Sequence, residues 1–325
     1  MSSSTSSSEP GRVRPGWAWV LGFLLVNAVV LFASGVVLER LALRFDYNVE
    51  KWREVMTMEG ADYDIVVHGN SVTMQSWDPT VVDEVTGRSS YNLASGGQGW
   101  VSGELVLSHW LEQNEAPDWV VLGVFINRPD DGTSLAPEIW DYLSSDARRL
   151  YRRRVAEAGG GRLWSWQAFN AVPAFRYRRV IDEVVKYVRA GESRTGFLRR
   201  GFLGTRYHPP SPVVAAGEVD GSVDIEALSR VIDVAEASGA RVLLYEPPNH
   251  PGRSERNPNR EETLSAVQAL VASRDTVVAF RSFVDGSALE WTEWSGEDHL
   301  NVAGAERFGI EQLGPWVRDV VNDAP

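Results

Sequence analysis

The sequence of 325 residues contains no cysteine, which excludes disulfide bonds, thiolate metal ligands and a cysteine nucleophile. It also lacks an excess of basic residues, since 32 Lys and Arg against 44 Asp and Glu give a net charge of −12. Nucleic acid is therefore not expected as a partner, because contacts to phosphates need a basic surface. There is no glycine-rich phosphate loop, and the five histidines show no zinc-ligand spacing. Neither a metal nor a cofactor is expected.

The N-terminal region carries a long apolar run. Residues 1–15 are rich in Ser, include Arg12 and Arg14, and are predicted to form a disordered cytoplasmic leader. Residues 16–38 carry no charge over 23 positions, which as a helix would span roughly 34 Å, enough to cross a bilayer. The preceding arginines predict a cytoplasmic N-terminus, with everything after the apolar run outside the cell membrane. A cleaved signal peptide is the alternative, with small residues at 33–35, but its apolar stretch is usually only about 7–15 residues long. We therefore expect an uncleaved, single-pass anchor.

The remainder of the chain alternates strand-like and helix-like segments. A linker helix is expected at 39–59, followed by a domain at 60–325. Strands are predicted at Tyr63–His68, Ser90–Leu93, Trp119–Ile126, Arg241–Glu246 and Thr276–Phe280. Helices are predicted at Pro79–Thr86, Gly103–Glu112, Asp224–Ser238, Arg260–Ser273 and Ala303–Val321. Continuously apolar strands indicate a parallel sheet buried on both faces, so we predict a three-layer α/β fold with helices on both sides of the sheet.

Two short motifs suggest nucleophilic chemistry. The first predicted strand ends in Gly69-Asn70-Ser71, and Asp298 and His299 occur near the C-terminus. A serine after a strand, together with a histidine from a distant part of the chain, is how α/β proteins assemble a nucleophile and its base. The alternatives are that Ser71 caps the following helix and that His299 is a surface residue.

Several segments, taken in order, resemble the SGNH (GDSL-type) hydrolase superfamily, in particular its membrane-anchored branch linked to O-acetylation of cell-surface polysaccharides. The similarity covers roughly residues 60–130 and 240–320, and its matching segments are Gly69-Asn70-Ser71, Asp78-Pro79, Tyr91 to Gln98, Pro117 to Gly123 with Asn127, and His299-Leu300-Asn301 with Gly304. The resemblance implies a flavodoxin-like SGNH fold, with Ser71 as nucleophile and His299 as base. It also implies an oxyanion hole formed by the N–H groups of Ser71 and Gly97 and by the side chain of Asn127. Gly97 also fits a tight turn that needs positive φ, and Asn127 lies in a segment that equally favours a turn.

The carboxylate of the expected triad departs from the family pattern. The family usually places it three residues before the histidine, and this chain has Gly296 there. Asp298 is our predicted acid because it is nearest in the loop. A Ser–His dyad, an acid supplied by Glu297, and a degenerate site remain open alternatives. His68 is expected to end a strand in the core, although it could approach the site, and His250 could border it.

Residues of about 135–212 form a predicted helical insertion rich in arginine and aromatic side chains. The segment 176–188 fits an amphipathic helix with Val180, Ile181, Val184 and Val188 facing inward. The insertion could hold an anionic glycan, lie on anionic lipid headgroups, or simply pair its arginines with the acidic remainder of the chain.

Together with the apolar N-terminal run, the resemblance implies an extracytoplasmic enzyme that transfers an acyl group, acetyl in our prediction, on a cell-surface glycan. Ester hydrolysis at the same serine is equally compatible with the motifs. If the reaction is transfer, the resemblance implies a membrane protein as acyl donor. The alternative from another class is a non-enzymatic SGNH-fold component of a polysaccharide assembly complex. The substrate-binding residues and the oligomeric state do not follow from the sequence.

Overall fold

A computed structural model describes the chain at residues 16–126, 139–140, 142–157, 172–178, 180–190, 196–206, 221–249, 255–284 and 289–323. The central element is a parallel sheet of five strands in the order β2-β1-β3-β6-β7. These strands are β1 Ile65–Gly69, β2 Ser90–Asn92, β3 Trp119–Gly123, β6 Arg241–Glu246 and β7 Val277–Ser282. This order reverses direction between β1 and β3, as in flavodoxin-like sheets, where ligands bind beyond the carboxyl ends of the strands. The predicted α/β class is confirmed.

Helices cover both faces of the sheet. Their bounds are α3 Ser71–Ser76, α4 Pro79–Thr86, α5 Trp100–Gln113, α6 Ser145–Glu157, α9 Ile225–Ala237, α10 Arg260–Ala272, α11 Val302–Phe308 and α12 Gly314–Asp323. A π-helical turn, Gly309–Leu313, joins α11 to α12. On one face Val66, Val120 and Leu244 pack against α5 and α9. On the other, Val67 and Val121 pack against α11 and α12. Because both faces are buried, the strands are apolar without alternation.

The N-terminal helix is longer than the sequence predicted. Helix α1 spans Gly16–Phe45, and α2 follows at Tyr47–Thr57. The sequence predicted one linker helix at 39–59. In the structure the first part of this segment completes α1, and the part after Asp46 forms α2. Helix α1 is long and apolar enough to cross a membrane, and its side chains from Trp17 to Val30 are largely exposed.

Two further helices pack against the C-terminal half of α1. They are α7, Pro173–Arg176, and α8, Val180–Ala190. Contact with α7 is close, because a Cβ on Gly35 would lie 2.6 Å from the Cβ of Pro173. Val180 and Val184 of α8 belong to a small apolar cluster with Leu38 and Ala42 of α1. The part of the chain predicted as a helical insertion is therefore attached to the N-terminal helix as well as to the domain.

A two-stranded hairpin, β4 Gly196–Arg199 and β5 Phe202–Thr205, was not predicted. Its turn lies against the edge of β2, where the Asn92 N–H donates to Arg200 O at 3.0 Å. Gly201 adopts φ of +79°, and a Cβ at this position would lie 1.8 Å from the Asn92 carbonyl oxygen. Only glycine fits such a turn. The turn of the hairpin therefore covers the end of β2, which is the edge strand of the sheet.

Lys51 joins the hairpin to α2 from inside the protein. Its side chain is fully buried, and its ammonium donates to the carbonyl oxygens of Ala94 and, at 2.5 Å, of Gly201. Burial lowers the pKa of Lys51 well below its usual value, and Glu54 opposes this. On the hairpin's other strand, the N–H of Gly196 donates to the Tyr47 hydroxyl at 3.0 Å. Helix α2 is thus packed into the domain and is not a free tether.

Many arginines of the expected insertion have partners within the described residues. Arg199 pairs with Asp78, and Arg154 pairs with Glu104 at 3.0 Å. Arg148 and Arg152 both lie over the ring of Trp140 at 5.5 Å. The two ion pairs favour the interpretation that arginines of the insertion neutralise acidic residues of the chain.

Candidate active site

Ser71 lies directly after β1, at the strand end next to the reversal of strand order. It is the first residue of α3, and the N-cap is Asn70, whose side chain accepts from the Val72 N–H at 3.0 Å. The capping role considered for Ser71 is therefore filled by its neighbour. This arrangement leaves the Ser71 hydroxyl half-buried and directed to another partner.

Glycines on two adjacent strands let α3 approach the strand ends. Thr73 of α3 donates to Gly123 O at 3.3 Å. A Cβ on Gly123 would lie 2.0 Å from the Thr73 hydroxyl oxygen, and one on Gly69 would lie 2.5 Å from it. Gly69 also has φ of +153°, which disfavours other residues. The close packing fixes the start of α3, and hence Ser71, against β1 and β3.

His299 is delivered by a tightly bonded loop before α11. The Ser295 N–H donates to His299 O at 2.8 Å, and Trp294 forms a β-bridge with Leu300. Asn301 then caps α11 by accepting from the Gly304 N–H at 3.1 Å. The Ser295 hydroxyl also donates to the Gln75 side chain of α3 at 3.2 Å. The loop is therefore tied to the helix that carries Ser71.

The serine, the histidine and an aspartate form a continuous chain of contacts. His299 Nε2 lies 2.8 Å from Ser71 Oγ, and His299 Nδ1 lies 2.5 Å from Asp298 Oδ1. The first distance is that of a hydrogen bond, and the second is a close contact between the imidazole and the carboxylate. A carboxylate beside Nδ1 favours the tautomer that carries its proton on that nitrogen, which leaves Nε2 as a hydrogen-bond acceptor for the Ser71 hydroxyl. The three side chains thus lie in the order expected from the sequence for a nucleophile, a base and an orienting acid.

The other carboxylates near His299 have different partners. Glu297 pairs with Arg256 at 3.2 Å, and Glu293 pairs with Arg307 at 3.1 Å. Gly296 stands in open space, since a Cβ there would meet none of the described atoms within 4 Å. Of the acids considered from the sequence, Asp298 is therefore the one that the loop places against the ring. A sequence-adjacent acid reaches its neighbour because the bonds around Ser295 fold the loop back on itself.

The loop after β2 contains Gly97 and lies beside the end of β1. The Ser95 N–H donates to Gly69 O at 3.1 Å, and the buried Asn92 side chain donates to Trp77 O at 2.9 Å. Gly97 itself is exposed, with φ of +70° and free space where a Cβ would be. The turn role considered for Gly97 is therefore present. Lys51, which holds Ala94 in this loop, was missed by sequence reasoning because a lysine in a linker helix normally indicates solvent exposure.

The sequence suggested three other residues for the site. Asn127 and His250 fall outside the described residues. His68 is fully buried on β1, 6.1 Å from the Trp100 ring between centroids, so it belongs to the core. Burial and the nearby Lys51 lower the pKa of His68 to about 3. In the described part of the chain, no group of three or more His, Asp or Glu side chains is arranged to hold a metal ion.

Comparison with known proteins gives weak similarities. No protein-family model matches the chain, and no curated protein matches it. Among solved structures, a candidate platelet activating factor from Streptococcus pneumonia overlaps with a TM-score of 0.39 at 14% identity, covering 86% of this chain and 96% of that one. A candidate acylhydrolase from Bacteroides fragilis NCTC 9343 gives 0.37 at 12% identity, covering 85% and 94%. Overlaps of this size do not carry a function from one protein to another.

Proposed function

We propose that the protein is a serine-dependent acyl-ester enzyme anchored in the cell membrane, of the SGNH kind, which transfers or hydrolyses an acetyl group on a cell-surface glycan. The single observation that carries this proposal is the contact chain from Asp298 through His299 to Ser71, at 2.5 and 2.8 Å. A carboxylate beyond hydrogen-bonding distance from the His299 ring would favour the non-enzymatic alternative. Asp298 lies within that distance, which favours the enzyme.

The first half-reaction follows from the roles of the three side chains. His299 Nε2 takes the proton of Ser71 as Oγ attacks the acyl carbonyl carbon, and Asp298 stabilises the resulting imidazolium. The Ser71 N–H is a donor for the developing oxyanion, because the first N–H of a helix has no partner within that helix. Gly97 and Asn127 are the further proposed donors. His299 then protonates the leaving oxygen, and the acyl group remains on Ser71.

The second half-reaction decides between transfer and hydrolysis. His299 removes a proton from the acceptor hydroxyl, whose oxygen attacks the acyl carbon of the acyl-enzyme. The bond between that carbon and Ser71 Oγ then breaks, and His299 returns the proton to Oγ. A sugar hydroxyl as acceptor gives transfer, and water gives hydrolysis. Product analysis with an acetylated aryl donor and a polysaccharide acceptor distinguishes them, since transfer yields acetylated glycan and hydrolysis yields acetate alone.

The test of the serine site is turnover of an aryl acetate by the full chain in mild detergent. We expect Ser71→Ala and His299→Ala each to abolish turnover and labelling by a serine-directed fluorophosphonate. Ser265→Ala and His109→Gln are matched controls, since their side chains bond to Glu261 O and Met56 O away from the site. Absence of both turnover and labelling in the parent would reject the enzyme and favour the assembly-component alternative.

A further inference from the structure

Helix α8 carries an apolar arc that is wider than its contact with the rest of the described chain. At about 100° per residue, Val180, Val184, Val188, Ile181 and Val185 fall, in that angular order, within about 140° of the helix circumference. Val180 is buried and Val184 half-buried against α1. The other three are exposed, by 50% for Ile181, 38% for Val185 and 71% for Val188. The inward orientation predicted for Ile181 and Val188 is therefore wrong.

The position of α8 along α1 indicates what would cover this surface. The uncharged run of α1 ends at Leu38, and Glu39 and Arg40 follow. Helix α8 packs on α1 at Leu38 and Ala42, which is the level where the apolar run stops. Helix α7, just before it, touches α1 one turn deeper, at Gly35. If α1 crosses a bilayer, α8 therefore lies at the boundary between the hydrocarbon and the headgroups.

Helix α1 itself presents an exposed apolar surface up to the level of this contact. Val37 and Phe32 of α1 are 56% and 67% exposed, and no charged residue occurs between them. Amphipathic helices that lie in the plane of the membrane interface bury their apolar face at this depth and keep polar residues on the other face. Asp182 is exposed and lies about 100° from Ile181 and about 60° from Val185, on the side of the exposed part of the arc that faces away from α1.

We propose that α8 is an interfacial helix, whose stripe of Ile181, Val185 and Val188 inserts into the outer boundary of the same bilayer that α1 crosses. The occupant of the stripe is lipid. Together with α1, it attaches the domain to the membrane at two places and so prevents rotation of the domain about the axis of α1. This proposal depends on α1 as a membrane span and is independent of the chemistry at Ser71.

The absence of cysteine makes a site-specific test direct. The full chain, reconstituted in phosphatidylcholine and phosphatidylglycerol vesicles, carries one nitroxide label at Ile181→Cys, Val185→Cys or Val188→Cys. Asp182→Cys is the matched control on the same helix, and Phe32→Cys is the reference within the span. Collisions of each label with oxygen, which concentrates in lipid, and with a water-soluble nickel complex are measured by electron paramagnetic resonance.

We expect the oxygen-to-nickel collision ratio to be several-fold higher at all three stripe positions than at Asp182→Cys, and lower than at Phe32→Cys. Water-like ratios at the stripe with a lipid-like ratio at Phe32→Cys would overturn the proposal and leave the anchor intact. A water-like ratio at Phe32→Cys would overturn both. Protection from both reagents would mean that protein covers the stripe, and dipolar broadening that disappears on dilution with unlabelled chain would identify a second copy. Either result also overturns it.

Discussion

At the scale of single residues, the position of the acid beside His299 differs from the SGNH pattern. Asp298 directly precedes the histidine, whereas the pattern places the acid three residues before it. Asp298 and Glu297 are consecutive carboxylates, but one contacts the imidazole at 2.5 Å while the other pairs with Arg256 at 3.2 Å. The orientation of each is set by the loop bonds around Ser295 and not by its distance along the chain. The two carboxylates therefore make a natural pair for substitution.

We expect Asp298→Asn to lower kcat on an aryl acetate by on the order of 10²–10⁴, because the amide no longer holds Nδ1–H or stabilises the imidazolium. Glu297→Gln should leave kcat little changed, since its partner is an arginine outside the contact chain. Steady-state kinetics of both variants and the parent make the comparison. If Glu297→Gln were the more damaging change, the acid would be misassigned, and equal activity in all three would indicate a Ser–His dyad.

His68 gives the folded protein a pH dependence that is unrelated to catalysis. Its pKa of about 3 lies below the ordinary value near 6.5, so between these values the unfolded chain binds a proton that the folded chain excludes. The free energy of unfolding should therefore fall as the pH is lowered, by about 2–3 kcal/mol between pH 7 and pH 4.5. His68→Asn should remove this part of the slope, as followed by urea unfolding in mild detergent. An unchanged slope would show that His68 is protonated equally in both states.

The residue scale also shows what sequence reasoning could and could not reach. The proximity of Ser71 and His299 was predictable, because the carboxyl end of a strand and the start of a helix place such side chains at the same edge of the sheet. The role of Lys51 was not predictable, because the pattern of a helix does not show that its ammonium will donate to two carbonyl oxygens. Its burial is a property of the hairpin and the β2 loop, which meet α2 only in the folded chain.

At the scale of elements, the β4–β5 hairpin supports the loop that carries Gly97. Its turn bonds to Asn92, and Lys51 then joins Gly201 to Ala94. A displaced hairpin turn would therefore disturb both the end of β2 and the proposed oxyanion loop. Sequence analysis missed the hairpin because two strands of four residues give too short a pattern to recognise.

Gly201→Ala should test this support. We expect a loss of at least about 2–3 kcal/mol in the free energy of unfolding, from a strained φ together with the clash on Asn92 O, and a reduced kcat. Gly239→Ala is the matched control, with φ of +86° but no described atom near its Cβ. It should cost only about 1 kcal/mol and leave kcat unchanged. Similar effects from both variants, measured by thermal unfolding and turnover, would argue against a supporting role for the turn.

Helix α8 shows a different limit of sequence reasoning at this scale. A period of 3.6 identified its apolar arc correctly but could not tell which part of the arc faces protein. The answer depends on α1, more than a hundred residues earlier in the chain, whose surface covers only the Val180 and Val184 edge. The strands β1, β3 and β6 could be predicted from the sequence, because both of their faces are buried and the prediction does not depend on which face meets the core.

At the scale of the whole molecule, helix α1 and the candidate site are connected through packed elements. Helix α1 ends at Phe45 and α2 begins at Tyr47, with the Asp46 N–H bonded to Ala42 O at 2.8 Å. Asn48 of α2 lies against Gly96, since a Cβ there would be 3.1 Å from Asn48 Oδ1. The end of α1 is thus connected through α2 to the loop beside Ser71 by direct contacts.

Removal of residues 1–38 should separate the two roles of the N-terminal region. The shortened chain keeps Ala42 and Val49 for the cluster with Tyr177 and Val180, so we expect aryl acetate turnover close to that of the full chain. Acylation or deacylation of a glycan tethered to vesicles should fall strongly, because the enzyme no longer shares the surface. Parallel assays of the full and the shortened chain on the aryl acetate and on the tethered glycan give the loss of activity on each substrate. An equal loss on both would mean that α1 contributes to the site itself.

The direct junction between α1 and α2 also sets a working distance. An enzyme on a flexible tether sweeps a hemisphere whose radius is the tether length, whereas this site is held at one elevation and one tilt above its support. If α1 spans the membrane and the substrate is a glycan, as proposed, the groups that the enzyme modifies are restricted to a thin slab parallel to the membrane. Groups farther along the polymer would be reached only while the polymer passes through that slab. The pattern of modification along a long chain would therefore be set by the movement of the polymer and not by a search by the enzyme.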